Sequence, residues 1–167
     1  MKIFSGRSNP VLSQGIADYL GFSLGKIRIE DFSDGEIRVE FEENIRNEDV
    51  YIIQSTNPPA ENLLELLLML DAARRASAAN VIAVIPYFGY GRQDRKDKPR
   101  VPISARLLLD LIEAAGVSRL ICMDLHAAQI QGFANVPFDH LYSRIALLDK
   151  LKELKLNEQN GVILSPD

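Results

Sequence analysis

The sequence predicts an α/β protein: a mainly parallel sheet flanked by helices, with one small β hairpin. Three observations carry this. Short Ile- and Val-rich runs alternate with longer amphipathic segments along the chain. Such alternation joins strands through helical crossovers, which makes neighbouring strands parallel and covers both sheet faces. One stretch breaks the rhythm, where two strand-like runs flank Ser33-Asp34-Gly35. With 167 residues, 47% of them hydrophobic, the chain is one domain's worth of material and can fill a sizeable core.

Taken in order, Lys2–Phe4 is the first strand. Asn9-Pro10 opens the first helix with a cap residue and a proline at N1, and Gly21 closes it. Lys26–Glu30 and Glu36–Phe41 form the hairpin, and Val50–Gln54 is the next strand. The second helix spans Asn62 to Ala79 and carries Leu63, Leu64, Leu66, Leu67, Leu68, Leu70, Ala72 and Ala73. That apolar surface is too wide for a simple surface helix, so half is expected against the sheet and half against another subunit. Val81–Ile85 is a strand, Ser104 to Ala115 a helix stopped by Gly116, and Arg119–Met123 a strand. A fourth helix, about Arg144 to Lys155, sets Ile145, Leu148, Leu151 and Leu154 on one stripe, and Val162–Leu164 reads as a last strand. Three residues later the sequence stops at Ser165-Pro166-Asp167, where ligands gather in open α/β sheets. A domain stopping there looks cut short.

Composition narrows the function classes. Nineteen basic against 23 acidic residues give a net charge of −4, so the whole molecule is not drawn to nucleic acid. No signal-peptide core and no run of about 20 apolar residues is present, so a soluble, unexported protein with no membrane partner is expected. The single Cys122 forms no internal disulfide and fits a reducing cytoplasm.

Three segments could carry chemistry. Arg92 to Arg100 follows the strand Val81–Ile85 and holds five basic and two acidic residues, a local +3. Guanidinium forks at a strand's carboxyl edge suit a polyphosphate and stabilise charge that develops during phosphoryl transfer. A solvated surface loop is the plainer alternative, and a nucleic-acid patch a third. Met123-Asp124-Leu125-His126 also ends a strand, so Asp124 and His126 could hold Mg²⁺, directly or through water, or position a phosphate. Alternatively Asp124 caps a helix and His126 is packed and hydrogen bonded. His140 has no comparable setting and reads as a surface residue. Phe32-Ser33-Asp34-Gly35-Glu36 is a turn; a functional use would stack Phe32 on a base and use the carboxylates to accept from an exocyclic amine.

Familiar nucleotide devices are absent. Gly21-Phe22-Ser23-Leu24-Gly25-Lys26 is one residue short of a P-loop, with Ile27 where Ser or Thr belongs. Gly89-Tyr90-Gly91-Arg92-Gln93-Asp94 has Asp94 in place of the third glycine of a dinucleotide fingerprint. A bound nucleotide would be held by another device.

Taken together the segments resemble the ribose-phosphate pyrophosphokinase (phosphoribosyl pyrophosphate synthetase) family. The matching stretches are KIFSG at 2–6, FSDGE at 32–36, EDVYIIQST at 48–56, ENLLELLLMLDAARRASA at 61–78, VIPYFGYGRQDRKDKPRVPISARL at 84–107, MDLHAAQIQGF at 123–133 and SPD at 165–167. The resemblance implies a phosphoribosyltransferase-like domain and a Mg²⁺-dependent enzyme. Its reaction moves the β,γ-diphosphoryl group of ATP onto the 1-hydroxyl of ribose 5-phosphate. It implies homo-oligomers, hexamers among them, activation by phosphate and inhibition by ADP. By position, Arg92, Gln93 and Asp94 fall in the ATP-binding loop. Phe32, Asp34, Gly35 and Glu36 fall in an adenine-recognition turn that reaches a neighbouring subunit's site. His126 and Asp167 fall at Mg²⁺-associated positions.

Departures exist. Ala60-Glu61 precede Asn62 where the family often has Asn-Asp, and Gly91 stands where it usually has alanine, which should loosen the loop. Family members are about twice this long. Residues 1–167 therefore read as the N-terminal domain, without the C-terminal domain that carries the ribose 5-phosphate loop and the catalytic Lys/Arg loop. No catalytic residue is expected in this stretch, which alone should not turn over. A non-catalytic regulatory homologue acting as an oligomerisation or binding subunit is the alternative, and a binding-only phosphoribosyltransferase-type domain a further one. Retention of Arg92, Gln93, His126 and FSDGE favours the enzyme.

Overall fold

The computed structural model describes residues 1–154 and 164. Five strands, β1 (Lys2–Ser5), β4 (Asp49–Ile53), β5 (Asn80–Ile85), β6 (Arg119–Met123) and β7 (Phe138–Leu141), form one sheet in that spatial order. Every pair in it is parallel, with Ile3 opposite Tyr51, Ile52 opposite Ala83, Val84 opposite Ile121 and Cys122 opposite His140. A separate antiparallel pair, β2 (Ile27–Asp31) and β3 (Ile37–Phe41), makes the hairpin. Helices α1 (Pro10–Leu20), α2 (Glu61–Arg75), α3 (Ser104–Ala115) and α4 (Arg144–Glu153) complete the fold, with a 3₁₀ turn at Ala128–Phe133.

Local chemistry sets the helix ends. The Asn9 side chain accepts from Leu12 N at 3.1 Å, Pro10 starts α1, and Gly21 ends it left-handed at φ 73°. Helix α2 stops at Arg75, not Ala79. Ser77 turns left-handed at φ 64°, and Ala78 N donates back to Ala73 O at 3.2 Å, which uses up the last turn's carbonyls. In α3, Ala105, Leu108, Leu109 and Ile112 recur at helical spacing, and all are buried.

The core lies between the sheet and α2 and α3, centred on Phe4, Val50, Ile52, Leu66, Met69, Leu70, Ala83, Ile85, Leu109 and Leu120. In β4, β5 and β6 the apolar runs are buried on both faces, as a covered parallel sheet requires. Part of the wide apolar surface of α2 is covered within the chain, while Leu64 stays exposed. The helix packs on the sheet, on α3 and on β3 of the hairpin, whose Ile27, Ile29, Val39 and Phe41 join the core's edge beside Leu63 and Leu67.

Two elements escape the sequence reading. Strand β7 is a short edge strand whose Asp139 and His140 disguise it; Arg119 on β6 grips Asp139 with two bonds of 2.6 and 3.0 Å. The 3₁₀ turn buries Ile130. The stripe assigned to α4 covers no core in this chain: Ile145, Leu148 and Leu154 are exposed. Lys155, Val162, Ile163 and Asp167 lie outside the described residues, so the last strand and the Asp167 site fall there too; Leu164 is exposed and in no strand.

Candidate phosphate-binding site

The adjacent strands β5 and β6 deliver two loops to the same sheet edge. The first is clamped at its start. Gly89 N donates to Thr56 Oγ1 at 2.8 Å, and a Cβ on Gly89 would stand 2.0 Å from Thr56 O, so only glycine lets these backbones approach. Tyr90 and Arg100 both hold positive φ, 60° and 66°, which marks sharp backbone reversals at either end of the cationic stretch. Gln93 ties the stretch to α3: Ser104 Oγ donates to Gln93 Oε1 at 2.5 Å, and Ala105 N donates to Gln93 O at 3.1 Å. Helix α3 has no side-chain cap of its own, so Gln93 satisfies donors that would otherwise be left open.

The cations of this loop stand unpaired. Arg92, Arg95, Lys96, Lys98 and Arg100 are exposed, and among the described residues none lies in an ion pair. Elsewhere most arginines find a carboxylate: Arg7, Arg28, Arg38, Arg74, Arg75, Arg106 and Arg119 all do. Unpaired guanidinium groups gathered on one loop are free for an anionic ligand.

The second loop begins at Asp124, which holds φ 44°. Its N–H donates to Leu141 O at 3.0 Å, and its Oδ1 accepts from Ser143 N at 3.1 Å. His126 is exposed and has no hydrogen-bond partner among the described residues. Arg92, Gln93, Asp124 and His126 line one cavity of about 560 Å³ with Pro58 and the residues from Tyr87 to Gly91. A second cavity adjoins it, lined by Arg92 to Arg95, Asp97, His126 and Gln129. Asp94 accepts from Gln129 Nε2 at 2.6 Å, which links the two loops.

Of the residues singled out from sequence, Arg92, Gln93, Asp94 and His126 therefore come together. The turn bearing Phe32, Asp34, Gly35 and Glu36 lines neither cavity. It is exposed at the hairpin tip, closed by Phe32 N to Glu36 O at 2.8 Å, with Asp34 Oδ1 accepting from Glu36 N at 3.2 Å. Gly35 lines a different cavity, between the hairpin and the start of α2. His140 is not a simple surface residue. It is half-buried, and its Nε2 accepts from Leu125 N at 3.0 Å. No periodicity in the sequence signals that contact, because it depends on strand β7.

Cys122 takes no part. It is buried in β6, and desolvation pushes its thiol well above the usual range. No cluster of three or more His, Cys, Asp or Glu occurs among the described residues. Mg²⁺ does not need one here, because it keeps several waters and takes substrate phosphate oxygens beside one or two protein donors. His126, with the free Oδ2 of Asp124 nearby on the same loop, fits that sparse donor set.

Fold and site together define an α/β domain that gathers unpaired cationic side chains at the carboxyl edge of a parallel sheet, a setting suited to phosphate. The profile of the N-terminal domain of ribose phosphate pyrophosphokinase matches residues 1–116. A ribose-phosphate pyrophosphokinase of Chlorobaculum tepidum is 57% identical over 167 residues, covering 100% of this chain and 51% of that protein. One of Porphyromonas gingivalis is 53% identical over 165 residues, covering 99% and 52%. The crystal structure of phosphoribosylpyrophosphate synthetase from Mycobacterium smegmatis superposes with a TM-score of 0.87 at 40% identity, over 91% of this chain and 51% of that one. The chain belongs to the ribose phosphate pyrophosphokinase family and spans about half the length of these relatives. Among the described residues no helix is long and apolar enough to cross a membrane.

Proposed function

We propose that residues 1–167 form the N-terminal domain of an enzyme that makes phosphoribosyl pyrophosphate and AMP from ATP and ribose 5-phosphate. Arg92 and Arg95, in no ion pair among the described residues and lining one cavity with His126, carry this reading. In the reaction the 1-hydroxyl of ribose 5-phosphate attacks the β-phosphorus of ATP. The bond from that phosphorus to the α,β-bridging oxygen breaks, AMP leaves, and the hydroxyl proton is released. Such transfers need positioning and charge neutralisation more than covalent help from the protein.

Arg92 and the Gln93 amide hold the triphosphate, and Asp94 orients the loop through Gln129. Phe32 stacks on adenine, while Asp34, Gly35 and Glu36 read its edge from a neighbouring subunit in a homo-oligomer, a hexamer in the family. Exposed apolar side chains on α1 and α4, such as Val11, Tyr19, Ile145 and Leu147, support self-association. His126 and Asp167 would hold Mg²⁺, which when bound would supply charge neutralisation to the phosphates. The ribose 5-phosphate loop and the catalytic Lys/Arg loop belong to a C-terminal domain. We assign the protein to the cytoplasm, where one free cysteine stays reduced.

The test uses the full-length gene product. Ribose 5-phosphate-dependent AMP release from Mg·ATP is expected, and Arg92→Ala should lower its rate by about 10²-fold or more, the cost of removing one preorganised charge stabiliser. Mg·ATP uptake without turnover would establish the regulatory alternative. Calorimetry showing no magnesium-dependent uptake of adenine nucleotide would end both readings.

A further inference from the structure

We propose that His140 is a positioning residue: it holds the turn from Asp124 to His126 so that the His126 imidazole faces the cavity it shares with Arg92. The inference rests on the phosphate-site reading above and adds a residue outside the cavity's lining.

The turn needs such a support. Asp124 holds a left-handed backbone at φ 44°, a conformation that surrounding contacts must maintain. Three bonds do so, all from the β7–α4 segment. Asp124 N donates to Leu141 O at 3.0 Å, Ser143 N to Asp124 Oδ1 at 3.1 Å, and Leu125 N to His140 Nε2 at 3.0 Å. The first two fix Asp124. The third alone fixes Leu125, the residue directly before His126, whose own ring has no partner among the described residues.

His140 is itself held in place. Its ring centroid lies 4.2 Å from that of Tyr142, and the Arg144 guanidinium stands 5.0 Å over the Tyr142 ring. Register sets its height: His140 pairs with Cys122 in the β6–β7 ladder, and Arg119 pins the same strand through Asp139. Gln131 Nε2 stands 3.4 Å from Nδ1 and already donates to Ala128 O; with the ring proton on Nδ1 both atoms are donors, so this approach does not hold the ring. The ring thus touches the chain on both sides of His126. Because Leu125 N donates, Nε2 must be the unprotonated nitrogen, and the ring proton sits on Nδ1. An acceptor at that reach is the requirement; an apolar ring of the same shape fails it. Supports of this kind around phosphate and metal sites act by orientation, and small displacements of a binding group are costly.

The experiment compares His140→Phe, which keeps the ring and its stacking, with His140→Gln, which keeps an acceptor at similar reach, in the intact chain. By NMR, the Leu125 amide should exchange about 10-fold faster in His140→Phe, as expected for loss of a single local hydrogen bond. Core amides of Ala83 and Ile85 should be unchanged, and His140→Gln should restore protection. Calorimetry with Mg·ATP should show about 10-fold weaker binding for His140→Phe and recovery in His140→Gln. Unchanged Leu125 exchange, or Mg·ATP affinity that ignores a loosened turn, would overturn the proposal. Should wild type take up no Mg·ATP, the phosphate-site reading fails instead. The positioning claim is then decided by Leu125 exchange and by whether the His126 imidazole resonances shift in His140→Phe and return in His140→Gln. If His140→Phe also loses core protection, His140→Leu replaces it and is read the same way.

Discussion

Gly91 sits between the clamped start of the cationic loop and its first arginine. A Cβ built there meets only ordinary contacts, Phe88 O at 3.4 Å and His126 Cβ at 3.6 Å, and its backbone is not left-handed. Gly91→Ala should therefore stabilise the chain by about 0.4–1 kcal/mol, mainly by restricting the unfolded state, read as a higher midpoint in urea. A lower midpoint would mean that the loop needs glycine after all. At this scale the sequence announces some roles and hides others. Arg92 and His126 are legible because clustered cations and a histidine after strand-like runs need no tertiary information to look unusual. Gln93 is legible as part of a motif, but its bonds to Ser104 and Ala105 are not, since they require α3 to fold back on the loop. His140 is illegible for the same reason.

The hairpin shows how an element outside the main sheet is secured. Its base packs Phe41 edge-on against Phe4, with ring centroids 4.7 Å apart. Its far end is held by Arg7, which reaches Asp31 with bonds of 3.1 and 2.9 Å and buried Glu65 with one of 2.6 Å. Glu65 is 2% exposed; its Oε1 accepts from Gln54 Nε2 and Arg7 N, but its Oε2 accepts only from Arg7 Nε among the described residues. Arg7→Met should destabilise the chain by about 2–3 kcal/mol, because a buried carboxylate loses its cation. Asp31→Asn should cost clearly less than Arg7→Met, because that pair is exposed to solvent. Denaturation midpoints giving the reverse order would refute this division. Most elements could be read from apolar runs, cap residues and glycines. Strand β7 could not, because an edge strand of four residues with a central Asp-His carries no periodic signal. The apolar excess on α2 was legible as excess, but the hairpin that covers part of it became visible only in three dimensions.

Across the molecule, ion pairs give the fold an acid-sensitive side. Lys2 holds the Glu43 carboxyl below its ordinary value of 4.5, and the Lys26 backbone N–H adds to this; Arg7 does the same for Asp31. A carboxylate depressed in the folded state contributes fully above its unfolded value, and that contribution disappears as pH falls through the folded value. Wild type should therefore exceed Glu43→Gln in melting temperature at neutral pH, with the gap closing below pH 4.5. A gap that persists in strong acid would remove Glu43 from the account. The overall architecture was readable because parallel α/β folds repeat one strand–helix rhythm, whereas spatial strand order and the meeting of two loops at one edge emerge only from assembly.

The undressed guanidinium and ammonium groups of residues 92–100 have one further consequence. Like charges crowded on a short tether push one another apart when no counter-ion sits among them. In the proposed complex a docked polyanion would offset the net +3 of this stretch, which Asp94 and Asp97 reduce only in part.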